Sequence, residues 1–319
     1  MKRLLVTGGA GFIGSNFIRY ILNRYKDYHI INLDKLTYCG NKSNLKDISR
    51  HKNYEFIKGD ITNASLVDRI VKGCDVIINF AAESHVDRSI HDPSDFVRTN
   101  VFGTYVLLEA AKKRKPKLFV HISTDEVYGS IAKGSFTEGD PLKPNSPYSA
   151  TKASADLIAR SYFATYDLPV IITRSSNNFG PYQYPEKIIP LFITNALEDK
   201  SLPLYADGMN VRDWLFVEDN CEGIDTVIQR GRPGEIYNIG ASSEKTNLEL
   251  THTILDILGK DRRLIKFVKD RPGHDKRYSL DIAKMNSLGW YPRHDFRSAL
   301  ELTVDWYKKN RSWWKRLKR

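Results

Sequence analysis

Residues 121–130, HISTDEVYGS, place two carboxylates side by side where an apolar run stops. The run KLFVHIS (117–123) reads as a buried strand that delivers Thr124, Asp125 and Glu126 at its end. Adjacent acids repel one another. Their titration splits, so that near neutral pH one keeps its proton while the other ionises. Such a pair can give a proton and take one at the same substrate. The pair titrates as a unit, so the sequence leaves open which member holds the proton. A local alternative is a capping box, Ser123-x-x-Glu126, although Gly129 leaves little helix to cap. In an extended chain residues 125 and 126 face opposite sides. Shared chemistry therefore requires a turn at Thr124.

A second pair lies downstream. YSATK puts Tyr148 and Lys152 at i, i+4, on one face of a helical stretch. An ammonium beside a phenol favours the phenolate and lowers the tyrosine's pKa. The phenol can then take a proton from an alcohol while hydride leaves for a nicotinamide. A nucleotide site is available for that partner. VTGGAGFIGSN follows the first apolar run and opens a helical pattern, with Gly8, Gly11 and Gly14 allowing a tight turn against a pyrophosphate. Asp34 ends the next strand, 20 residues beyond Gly14. A carboxylate there suits ribose hydroxyls and repels a 2′-phosphate, which favours NAD over NADP. Asp60, closing the third strand in GD (59–60), is placed near the adenine. GSIAKGS (129–135) is a P-loop decoy, because its Lys133 precedes the second glycine.

The elements around these residues alternate. Apolar runs at 3–8, 29–34, 54–60, 75–82, 117–123 and 169–176 lie between helical patterns near 12–25, 64–72, 95–114 and 147–166. Most runs lack polar alternation, as strands covered by helices on both faces do. The fold class is α/β, a doubly wound parallel Rossmann-type sheet with a smaller α+β substrate-binding domain. The expected division is 1–180 for the dinucleotide domain, with return segments near 213–240, and 181–319 mainly for the substrate.

TGGAGFIG, STDEVYG and YSATK together resemble the extended short-chain dehydrogenase/reductase family that acts on nucleotide sugars. RSSNNFGPYQYPEKIIP (174–190), GMNVRDWLFVED (208–219), IYNIG (236–240) and DRPGHDKRY (270–278) extend the resemblance, specifically to its 4,6-dehydratases, over essentially the whole chain. The resemblance implies NAD as cofactor and dTDP-glucose as substrate; nothing in the residues themselves distinguishes thymine from uracil. It implies oxidation at carbon 4, loss of water across carbons 5 and 6, and hydride return to carbon 6. It casts Asp125 as the acid at carbon 6, Glu126 as the base at carbon 5, Tyr148 as the base at the carbon 4 hydroxyl and Thr124 as a hydrogen-bonding partner there. By the same resemblance Phe12, Ile13, Asp34, Lys35, Thr37, Asp60, Ile61, Ala81, Ala82, Thr99, Lys152 and Asn178 line the NAD site. Ser84, Asn177, Lys187, Tyr205, Arg212, Asn247, Arg271 and His274 hold the sugar nucleotide. Two arginines suit a diphosphate, whose oxygens a planar guanidinium can bind in pairs.

A 4-epimerase or decarboxylase of the same family would share the glycines and the Tyr148/Lys152 pair, yet has no need of an acid to expel a hydroxyl. Asp125 separates the readings. The net charge of +11 is concentrated: KKNRSWWKRLKR at the carboxyl end carries seven Lys/Arg and no acid. That tail could touch nucleic acid or anionic lipid. The alternative is the end of an amphipathic helix with Phe296, Leu300, Val304 and Tyr307 facing the body. The expectation is therefore no nucleic-acid or membrane partner, and a homodimer from the resemblance. Cys39, Cys74 and Cys221 show no ligand-like spacing, and the histidines show no paired spacing. A reduced cytoplasmic protein without a metal is expected.

Overall fold

A computed structural model describes residues 1–318. The strands are β1 (Lys2–Thr7), β2 (Tyr28–Asp34), β3 (Tyr54–Lys58), β4 (Val76–Asn79), β5 (Leu118–Thr124), β6 (Val170–Ser175), β7 (Asn177–Phe179), β8 (Leu202–Tyr205), β9 (Val211–Phe216), β10 (Ile236–Ile239), β11 (Glu244–Thr246) and β12 (Ile265–Val268). Seven of them form one sheet in the order β10-β6-β5-β4-β1-β2-β3, and every pairing in it is parallel. The segment IYNIG does return to this sheet, as its edge strand β10.

Alternate residues of each strand feed two apolar layers. Leu4, Val6, Ile78 and Val120 pack with Phe17 and Ile21 of helix Phe12–Arg24 and with Ile224 and Val227 of helix Val217–Arg230. Leu5, Ile77 and Phe119 face the other way, onto Val67 and Ile70, Leu107 and Leu108, and Ala159 and Tyr162. Both faces being covered, neither could be polar. Truncating one of these buried side chains to alanine costs about 2–5 kcal/mol.

A third apolar cluster draws only on residues from Phe179 onward, including Trp214, Phe216, Leu250, Leu300 and Trp314. It packs beneath the three-stranded sheet β11-β9-β7 and the pair β12-β8. The carboxyl-terminal helix Phe296–Lys309 buries Phe296, Leu300, Val304 and Tyr307. Trp314 is fully buried and donates from Nε1 to the Tyr307 carbonyl at 2.9 Å, while Trp313 donates to Asn44 Oδ1 at 2.9 Å. The tail's aromatic residues therefore belong to the body of the protein.

Two local departures from the sequence reading bear on the site. The run at 75–82 stops being a strand at Asn79, and residues 80–84 form a crossing without regular structure at the carboxyl end of β4. The helix at 95–114 carries a π-helical segment at Val97–Gly103. Within it Asn100 donates to Thr151 Oγ1 (3.0 Å) and to the Glu83 carbonyl (3.1 Å), and accepts from the Glu83 N–H (2.9 Å). The wider turn thus pins the 80–84 crossing to helix Pro147–Tyr166, a local distortion of the kind that accompanies functional sites.

Candidate active site

The carboxyl ends of β1 to β5 open onto a cavity of about 220 Å³ at the place where strand order reverses between β1 and β4. The glycine turn forms its floor. Gly8 has φ +68°, and a Cβ there would sit 2.7 Å from the Ala81 nitrogen; at Gly14 it would sit 2.5 Å from the Gly8 carbonyl oxygen. No side chain caps the helix that starts at Phe12, so its first-turn N–H groups and positive dipole end stay open toward the cavity. Every residue assigned above to a cofactor lines this cavity except Asn178, which opens onto a second one. Ser84 is found in the first cavity, not the second.

Asp34 is more occupied than its sequence position suggested. Its oxygens accept from the Ala10 N–H (2.8 Å) and the Leu36 N–H (2.7 Å), so it braces the glycine turn as well as facing the cavity. Burial pushes its pKa up, against those two hydrogen bonds. Lys35 is paired with Asp60 at 2.9 Å. That ion pair competes with any attraction of Lys35 for a 2′-phosphate.

The second cavity, about 290 Å³, is lined by side chains from scattered positions: Asn177, Asn178, Lys187, Tyr205, Arg212, Asn247, Arg271 and His274, with Glu126 and Tyr278. Arg212 does not present a free fork. It donates to the carbonyls of Val211 (2.7 Å) and Asp275 (2.9 Å) and stacks on Tyr278 at 4.3 Å, clamping the 275–278 segment over the cavity. Arg271 donates from Nη1 to Asp87 Oδ1 at 3.0 Å, and its Nε is buried without a partner. Gln183, Glu186 and Lys187 line both cavities. Sequence reasoning missed Gln183, Glu186, Asp87 and Tyr278, which sit in irregular or short segments and owe their place to the tertiary fold.

Of the acid pair, Glu126 lines the second cavity, while Asp125 and Thr124 line neither. The chain does turn at Thr124, into a 3-10 turn spanning Asp125–Tyr128. Thr124, rather than Ser123, supplies the cap: its Oγ1 accepts from the Glu126 N–H (3.3 Å) and donates to Asp125 Oδ1 (3.1 Å). Asp125 is buried and its Oδ2 has no partner, whereas Glu126 reaches the second cavity. Burial first, and the Glu126 charge second, push the Asp125 pKa well above the ordinary carboxylate range. Burial raises Glu126 too, but Lys187, Arg271 and Arg212 oppose it.

Tyr148 faces the same turn, and here the expectation fails. Its phenol pKa is raised, not lowered: burial dominates, and the Glu126 and Asp125 charges add to it. Lys152 is turned to the Ile122 carbonyl (2.6 Å), and burial pulls its own pKa down to about 8. The spacing i, i+4 placed the two side chains correctly in the first cavity, but could not reveal that two carboxylates share the phenol's surroundings.

A dinucleotide-type glycine turn, a Tyr/Lys pair and a nearby acid pair on a parallel sheet define a short-chain dehydrogenase/reductase built for nucleotide sugars. The model of one such family, GDP-mannose 4,6 dehydratase, matches residues 5–303, and the chain belongs to that family. It is 52% identical to dTDP-glucose 4,6-dehydratase of Streptomyces antibioticus, over 99% of this chain and 95% of the relative. It is 55% identical to the low-salt glycan biosynthesis protein Agl12 of Haloferax volcanii, over 95% and 98%. The crystal structure of DesIV, a dTDP-glucose 4,6-dehydratase of Streptomyces venezuelae with NAD and TDP bound, superposes with a TM-score of 0.97 at 53% identity, covering 99% of each chain.

Proposed function

We propose that the chain is an NAD-dependent hydro-lyase that converts dTDP-glucose to dTDP-4-keto-6-deoxyglucose. The observation that carries this is the acid pair: Glu126 lines the cation-rich second cavity, the contiguous Asp125 is buried behind it, and the charges of both bear on Tyr148, which lines the first cavity. An epimerase has no use for the second acid.

The first cavity fits NAD. The open helix start and the Cβ-free cradle of Gly8 and Gly14 suit a pyrophosphate, and Asp34 beside the ion-paired Lys35 suits an unphosphorylated ribose. Bound there, NAD supplies a hydride acceptor for the sugar's carbon 4 and later a donor for carbon 6. Tyr148, with Thr124 beside it and Lys152 one helical turn on, takes the proton of the carbon 4 hydroxyl; the positive nicotinamide ring of bound NAD would offset the burial and carboxylate charges that raise the phenol's proton affinity. The carbon 4 ketone makes the carbon 5 proton acidic, because the carbanion delocalises as an enolate. Glu126, the acid facing three cations, takes that proton, and after hydride reaches carbon 6 a proton is returned to carbon 5. Asp125, whose proton affinity is raised by burial and by its neighbour, gives its proton to the leaving carbon 6 hydroxyl.

In the second cavity Arg212, Arg271 and Lys187 favour the diphosphate, with Asn177, Tyr205, Asn247 and His274 around it, and Ser84 approaches from the first. We assign residues 1–180, with return segments near 213–240, to the cofactor and 181–319 mainly to the nucleotide sugar. A homodimer is favoured by the exposed Val97, Phe102 and Tyr105 together with Leu157 and Tyr166, which crowd the outer faces of the helices at 94–114 and 147–166. The cytoplasmic placement rests on three unpaired cysteines. The test is conversion of dTDP-glucose in deuterated water. A 4-keto-6-deoxy product carrying deuterium at carbon 5 is expected; unchanged hexose or simple inversion at carbon 4 would overturn the assignment.

A further inference from the structure

The short helix Val86–His91 takes no part in the mechanism above, yet it touches both ends of the site. At one end Asp87 is the only carboxylate in the second cavity besides Glu126 and Glu186. Its Oδ1 accepts from Arg271 Nη1 at 3.0 Å and its Oδ2 from the Tyr205 hydroxyl at 3.3 Å. Glu186 is already engaged by the Tyr38 hydroxyl (2.9 Å) and lies 3.4 Å from His85 Nε2. An acid facing a diphosphate would weaken binding unless it did something else. At the other end Ser89, fully buried, accepts the Tyr148 N–H at 3.1 Å and donates to the Val86 carbonyl at 2.6 Å. Val86 packs directly with Tyr148 and Phe96. Asp87, which contacts the anion-facing arginine, is therefore next to Val86 and two positions from Ser89, the residues that seat the phenol.

We propose that Asp87 is a positioning residue that couples the capture of the nucleotide diphosphate at Arg271 to the alignment of Tyr148, through helix 86–91; this rests on the function proposed above. The ion pair fixes the plane of Arg271, whose unpartnered Nε and remaining N–H groups are left for phosphate oxygens. Anchoring the arginine to this helix lets the non-reacting half of the substrate contribute to the geometry of the reacting half, which raises turnover rather than affinity. Burial raises the Asp87 pKa, but the bond to Arg271 and its charge outweigh it and hold the carboxyl below its ordinary value.

The experiment compares the wild type with Asp87→Asn, Ser89→Ala, Arg271→Gln and the Asp87→Asn/Arg271→Gln double variant. It reads kcat, KM, melting temperature, and the affinity for dTDP alone by calorimetry. Wild-type turnover of dTDP-glucose tests the function itself, and its absence would count against that reading alone. Asp87→Asn and Ser89→Ala are each expected to lower kcat about tenfold with KM and dTDP affinity changed less than about threefold. Arg271→Gln is expected to weaken dTDP, and adding Asp87→Asn to it to cause no further loss of kcat. A KM-only effect of Asp87→Asn, a melting-temperature loss with normal kcat, or losses that multiply in the double variant would overturn the coupling.

Discussion

The two cavities are built by different means. The first is shaped by main chain: a glycine turn with no room for a Cβ, an uncapped helix start, and strand ends in one parallel sheet. The second is shaped by long side chains whose positions run from Asp87 to Tyr278, fixed by ion pairs and a guanidinium stack. A site made of backbone tolerates little change in shape. A site made of charged side chains has graded affinity and responds to salt. The acid pair draws on both kinds of construction, a buried strand end for Asp125 and facing cations for Glu126.

The largest effect is expected at that junction. Asp125→Asn removes the proposed proton donor while leaving both cavities intact, so kcat should fall about a thousandfold. Absorbance of the reduced cofactor should then build up during single turnover, because oxidation at carbon 4 still proceeds. A loss of oxidation together with elimination would show that the pair is not divided by role.

Gly14→Ala places a Cβ 2.5 Å from the Gly8 oxygen and must displace the turn. Strain of about 1–3 kcal/mol there would weaken NAD roughly ten- to hundredfold, measured by titration of the cofactor, with dTDP affinity unchanged. Arg212→Lys should do the reverse. It breaks the clamp on the 275–278 segment and raises KM for the nucleotide sugar about tenfold, leaving cofactor affinity alone. Loss of both affinities in either variant would erase the distinction between the cavities.

The smallest effect concerns stability. Asp125 has a raised proton affinity in the folded chain, so its contribution to stability is fully present below the unfolded-state pKa and is lost as pH rises toward the folded value. Asp125→Asn removes that loss. Its melting temperature at neutral pH should exceed the wild type's by about 2 °C or more, and the gap should close below about pH 4. A variant less stable than wild type at neutral pH would contradict the burial argument.

How much of this was legible follows from the same contrast. The sheet was readable because strands buried on both faces run apolar without alternation, and the glycine turn because its residues are contiguous. The turn at Thr124 could be inferred from the need for two adjacent acids to face one place. The bracing of Asp34 by Ala10 and Leu36, the π-helical segment that lets Asn100 hold Glu83, and the Asp87–Arg271 pair join residues distant in sequence or depend on backbone detail. No local pattern marks them. The Tyr148 pKa was misjudged for that reason: Lys152 lies four residues away on one helix, but the burial that raises the phenol's pKa, and the carboxylate charges that add to it, come from other elements.

Neutron diffraction from the perdeuterated protein at neutral pH, with dTDP and NAD bound, asks the central question at its simplest. A deuteron on the carboxyl of Asp125 and none on Glu126 is the expected result. Deuterium on Glu126 with a bare Asp125 would reverse the acid and the base, and the dehydration would have to be rewritten.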